Sequence, residues 1–124
     1  MSQQCWAAVA PPENDTSKTI DNLQQEALEA YGREDFQAAV DIISNILEIR
    51  EADPVWLEAR AQVLIDGKNF KQALADYNLA LKNTSPTDTG AVARLTAGRA
   101  LAYEGFSDWE RALEDYDKSL DLAA

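Results

Sequence analysis

The stretch from Phe70 to Leu81 constrains this chain more than any other. Phe70, Ala73, Leu74, Tyr77, Ala80 and Leu81 follow the spacing that lines side chains up along one stripe of an α-helix. The ladder recurs upstream as Phe36, Ala39, Val40, Ile43, Ile46 and Leu47, and downstream as Trp109, Ala112, Leu113, Tyr116, Ser119 and Leu120. Ala39 and Ala73 stand 34 residues apart, and Ala73 and Ala112 stand 39 apart. A ladder returning at that interval, once with an insertion, is an internal repeat. Such a repeat builds an array in which each unit buries its apolar face against its neighbours.

Helix start and stop signals fill the gaps between the ladders. A helical pattern runs from Ile20 through Leu23, Ala27, Leu28, Ala30 and Tyr31 and breaks at Gly32, with Asp35 placed to cap the next helix. Asp53-Pro54 opens another, because proline has no N–H to leave unpaired at the first helical position. Leu57, Ala61, Leu64 and Ile65 share one face of that helix. Asp66-Gly67-Lys68 turns the chain, and Asn69 with Gln72 forms a capping pair for the central ladder. The loop over 83–90 holds the insertion; the helix after it points Leu95, Ala100 and Tyr103 inward and ends at Gly105. Ser107 with Glu110 makes a capping box before Trp109. The expected fold is all-α, six antiparallel helices in three hairpins over 20–124, with repeats near 20–53, 54–87 and 93–124.

Residues 1–19, with Pro11-Pro12 and a polar run behind them, are expected to be a flexible leader. Trp6 and Val9 are placed to fold back on the first helix. Asp15, Ser17, Thr19, Asp21 and Glu26 fall at the offsets of a calcium loop. Ile20 stands where that loop needs glycine, so no metal site is assigned.

Charge narrows the partners. With 22 acidic and 11 basic residues the net charge is −11, which opposes nucleic acid and anionic membrane alike. No window approaches a membrane-spanning length of uncharged apolar residues. Cys5 is the single cysteine, so no internal disulfide forms and a reducing compartment is the default, the cytoplasm first, with the interior of a chloroplast or other organelle left open.

The three ladders resemble the tetratricopeptide-repeat (TPR) family. The small residue midway along the first helix of each repeat is matched by Ala27, Ala61 and Ala100. The aromatic opening the second helix is matched by Phe36, Phe70 and Trp109, and the alanine after it by Ala39, Ala73 and Ala112. The resemblance covers about 20–122 and implies a right-handed α-α superhelix. It departs from the family where leucine is expected before the small residue: Glu26, Arg60 and Arg99 stand there. If those places are partly buried, the two arginines need carboxylate partners such as Asp76 or Asp115; a structural ion pair is the favoured reading of both and ligand recognition the other.

The resemblance also implies a protein or peptide partner held along the concave face of the first helices. The residues projecting there are Gln24, Leu28 and Tyr31; Glu58, Gln62 and Ile65; and Arg94, Ala97, Leu101 and Glu104. Leu28, Ile65 and Leu101 have a second reading, as packing between repeats. One subfamily clamps the C-terminal carboxylate of large heat-shock chaperones with lysines, an arginine and asparagines. Here Gln24, Leu28, Ala59 and Gly98 occupy four of those five places and only Arg94 is basic. No histidine occurs anywhere, and no phosphate loop or nucleophile elbow is present, so no catalytic residue and no cofactor is assigned. The expected function is a protein-interaction scaffold. The alternative is a structural segment of a longer array, or an assembly factor self-associating through its last helix.

Overall fold

A computed structural model of the protein describes residues 12–124, and every element in that range is helical. The elements are α1 (Pro12–Gly32), α2 (Phe36–Ile49), α3 (Pro54–Asp66), α4 (Phe70–Lys82), α5 (Thr89–Gly105) and α6 (Trp109–Ala123). They pair as three hairpins, α1 with α2, α3 with α4 and α5 with α6, and each hairpin stacks on the next. Helix α1 begins well ahead of Ile20, inside the segment read as leader. Its opening is proline followed by polar residues, so no apolar period announces it, yet proline suits a helical first turn. Ser17, Thr19, Asp21 and Glu26 consequently lie on a helix rather than in a loop. The leader's residues 1–11, with Cys5, Trp6 and Val9, lie outside the described residues.

The hairpin turns repeat at backbone level. Asp35, Asn69 and Asp108 each donate an N–H to a carbonyl five residues back, on Ala30, Leu64 and Tyr103, at 2.7–2.9 Å. The residue before each, Glu34, Lys68 and Ser107, adopts positive φ of 58–62°. That is the left-handed closure commonly given to glycine, here carried by other residues. Asp35, Asp53, Asp88 and Asp108 then cap the following helices, accepting from the N–H of Ala38, Val55, Ala91 and Arg111. The cap of α6 is therefore Asp108 and not Ser107, whose place in the turn removes it from the cap position. Asn69 and Gln72 do meet at 3.1 Å, but side chain to side chain, with no capping bond from the Asn69 side chain to the helix backbone.

The ladders form the core. Ala39, Ala61, Ala73, Ala80 and Ala100 are fully buried, which lets the helices approach closely, and Leu57, Tyr77 and Leu95 fill the space beside them. Each such leucine contributes about 2 kcal/mol of apolar transfer. Burial declines in the third repeat. Phe36, Val40 and Leu47 pack at the first junction and Phe70, Leu74 and Leu81 at the second, whereas the matching Trp109, Leu113 and Leu120 are 64%, 61% and 70% exposed. Among the described residues no helix is long and apolar enough to cross a membrane.

Arg60 and Arg99 are structural, as their half-buried positions require. Arg60 places Nε and Nη2 on the two Asp76 oxygens at 2.8 and 2.7 Å and Nη1 on Ser44 at 3.1 Å. Arg99 grips Asp115 at 2.8 and 2.9 Å and reaches Asn78 at 3.1 Å. Each guanidinium thus ties its own hairpin to the second helix of the preceding one, and the carboxylate hydrogen bond raises its pKa further. Glu26, the counterpart in the first repeat, is exposed.

Candidate functional site

Two cavities open between the first helices, and eight of the ten residues assigned to partner binding border them. One, of about 310 Å³, lies between α1 and α3 and is bordered by Gln24, Leu28, Tyr31 and Gln62. The other, of about 290 Å³, lies between α3 and α5 and is bordered by Glu58, Gln62, Arg94, Ala97 and Leu101. Gln62 borders both, so the two join into one continuous surface. Leu28 is 58% exposed and Leu101 44%, which removes them from the packing role open to them in the sequence. Ile65 and Glu104 border neither cavity. Ile65 is half-buried against the core and takes the packing role instead. Glu104 is half-buried on the last turn of α5, facing Tyr116.

Sequence reading missed part of the lining. Trp56 and Ile43 border the first cavity, and Tyr77, Tyr116 and Gly98 the second. Trp56 stands seven residues before Val63, on the side of α3 turned toward α1, and that spacing was available as a signal. The two tyrosines belong to second helices, whose ladder residues were assigned wholly to the core. Tyr77 reaches the cavity because Gly98 faces it without a side chain: a Cβ there would come within 2.5 Å of the ring.

One carboxylate and one cation border the two cavities, and further carboxylates stand at their rim. Arg94, the one cation bordering the cavities, donates from Nε to both Glu58 oxygens, at 3.1 and 2.9 Å. The Tyr31 hydroxyl donates to Asp66 at the end of α3, and that bond with its negative charge raises the Tyr31 pKa. Burial and then the charges of Glu58, Asp66 and Asp76 push the Tyr77 hydroxyl up to about 12. Burial and Glu104 likewise raise Tyr116. The ionised form of three phenols on this face is thus disfavoured, at Tyr31 by the Asp66 hydrogen bond first and at Tyr77 and Tyr116 by burial first, with nearby carboxylates adding to each.

Three stacked helical hairpins, with alanines at the helix crossings and a surface shared by the first helices, give the fold of tetratricopeptide-repeat (TPR) domains, here in three repeats. The chain is 28% identical over 120 residues to the heat-shock protein cognate co-chaperone sgt12 of Aspergillus fumigatus, a match covering 97% of this chain. It spans about a third of that relative, 32% of its length. Among solved structures it resembles the Sgt2 TPR domain of A. fumigatus, with a TM-score of 0.70 at 25% identity over 83% of this chain and 65% of that one. The N-terminal domain of stress-induced protein-1 from C. elegans superposes with a TM-score of 0.73 at 19% identity, over 86% of this chain and 85% of that one. MamA from RS-1 gives 0.69 at 24% identity, over 98% and 70%. No protein-family model matches the chain.

Proposed function

We propose that the chain is a protein-interaction module whose joined cavities form a groove for a peptide or partner helix, with no chemistry of its own. The observation that carries this is the continuous surface from Leu28 to Leu101, where two large aliphatic side chains stay exposed beside open cavities. Helical partners and extended peptides both use such anchors in alternation with a few polar contacts. The relationship to a co-chaperone supports a protein partner. The carboxylate-clamp places support a different contact from the one made to heat-shock chaperones, because Arg94 alone is basic and Glu58 already holds it.

A Leu28→Glu/Leu101→Glu double variant tests the groove. Both side chains reach solvent, so the circular dichroism spectrum is expected to stay that of the wild type. Partner capture in a pull-down is expected to fall at least about tenfold, the result of burying two unpaired charges against an apolar ligand. Capture at the wild-type level would place the binding surface elsewhere.

The exposed face of α6 favours a second reading, in which the module also associates end to end. Trp109, Leu113 and Leu120 present to solvent the face that α3 and α5 cover in the first two repeats. Sedimentation at rising concentration is expected to show an increasing average mass, and Leu113→Glu/Leu120→Glu to return the chain to a monomer. A wild-type chain that stays monomeric throughout would exclude self-association.

A further inference from the structure

We propose that the groove takes a basic segment: a large aliphatic or aromatic side chain seated in the cavity between Leu28 and Trp56, flanked by lysine or arginine. This rests on the groove reading above and adds the chemistry of the occupant. The first cavity is walled by Leu28, Tyr31, Ile43, Trp56 and Val63, with only Gln24 and Gln62 to engage a polar group, so it selects an apolar side chain.

Charge decides the flanks. Glu58 borders the second cavity and pairs with Arg94, the one cation bordering either, while Asp66 and Glu104 stand just outside the two cavities. The partners of the other two carboxylates are the phenols of Tyr31 and Tyr116, which fix their direction without neutralising them. Carboxylates gathered at the rim of a concave surface raise the local concentration of the opposite sign of charge. At Tyr77, on the floor of the second cavity, burial is the larger cause of the raised pKa and the charges of Glu58 and Asp66 add to it. An acidic ligand, or one anchored by a free carboxylate, would meet repulsion with no unpaired cation to receive it.

Selection from a random linear-peptide display library on the full chain tests this. Enriched peptides are expected to carry net positive charge around one large apolar residue. Their affinity is expected to fall about fivefold in Asp66→Asn/Glu104→Gln, which removes two charges at constant shape, and to weaken as salt rises. It is expected to be lost in Leu28→Ser/Leu101→Ser, which removes apolar area without adding charge. Enriched peptides that are acidic, or that need their C-terminal carboxylate, yet are lost in the serine variant, would overturn the basic-ligand proposal and leave the groove standing. No enrichment, or peptides indifferent to the serine variant, would overturn the groove and this proposal together.

Discussion

Asp76→Ala is expected to destabilise the fold by about 3 kcal/mol, the lower end of the cost of breaking a buried ion pair. Asp76 is buried and holds two nitrogens of Arg60, while Ser44 holds the third. Without the carboxylate, the guanidinium keeps its charge in a half-desolvated place with only a hydroxyl for company. The lower end applies because the arginine side chain retains 25% of its exposure, so water partly replaces the lost partner. Asp115→Ala is expected to behave alike, since Arg99 repeats the geometry with Asn78 in the place of Ser44. Replacing both partners, as Arg60→Met/Asp76→Leu, is expected to recover stability to within about 1 kcal/mol of wild type, because no orphaned charge is left. Urea unfolding at an unchanged slope reads all three. A loss under about 1 kcal/mol in Asp76→Ala would show that solvent satisfies Arg60 and that the pair does not hold the middle hairpin together. Peptide affinity should not follow the stability change, because Arg60 and Asp76 border a different cavity, between α2, α3 and α4.

The same pair marks how far the sequence carried. An arginine in a leucine place was enough to favour a structural ion pair and to name candidate carboxylates, because a half-buried charge has few escapes. The ladders were legible for a related reason: helical period reports which face is apolar, and the alanines it singled out are buried. Period does not report how far apart two helices lie or what one sees through a gap in the other. Gly67 and Gly105 read as chain breakers, yet no glycine has positive φ, and the turns are made by Glu34, Lys68 and Ser107. Those glycines instead sit where a Cβ would press on Phe36 and Phe70. Ile65 and Leu101 looked equivalent in sequence; only the stacking decides that one packs and the other faces solvent. Tyr77 and Tyr116 were hidden for the converse reason, being core residues by period and groove residues by virtue of what stands opposite.

Gly98 makes that last point measurable. A Cβ at Gly98 would lie 2.5 Å from Cε1 and Cζ of Tyr77 and 2.7 Å from its hydroxyl oxygen. The ring cannot swing aside freely, since Tyr77 is among the largest fully enclosed side chains of the core. Alanine in a helix interior gains about 1 kcal/mol over glycine from propensity, while overpacking costs about 1–3 kcal/mol. Gly98→Ala should therefore be destabilising by a small margin only. Gly98→Val adds two methyl groups and loses most of the propensity gain, so about 3 kcal/mol is expected, at the top of the overpacking range. Tyr77→Ala alone should cost about 3–5 kcal/mol by opening a cavity in the middle repeat. In the double variant the valine enters the space the ring has vacated, so the total should fall short of the sum by about 2 kcal/mol, a coupling that residues in contact commonly show. Strict additivity in the urea double-mutant cycle would mean that Gly98 and Tyr77 do not share this space, and the floor of the second cavity would have to be redrawn. Coupling of the expected sign would make Gly98 the residue that leaves room for the Tyr77 ring at the floor of the second cavity. A side chain there would then weaken peptide binding even where the fold tolerates it.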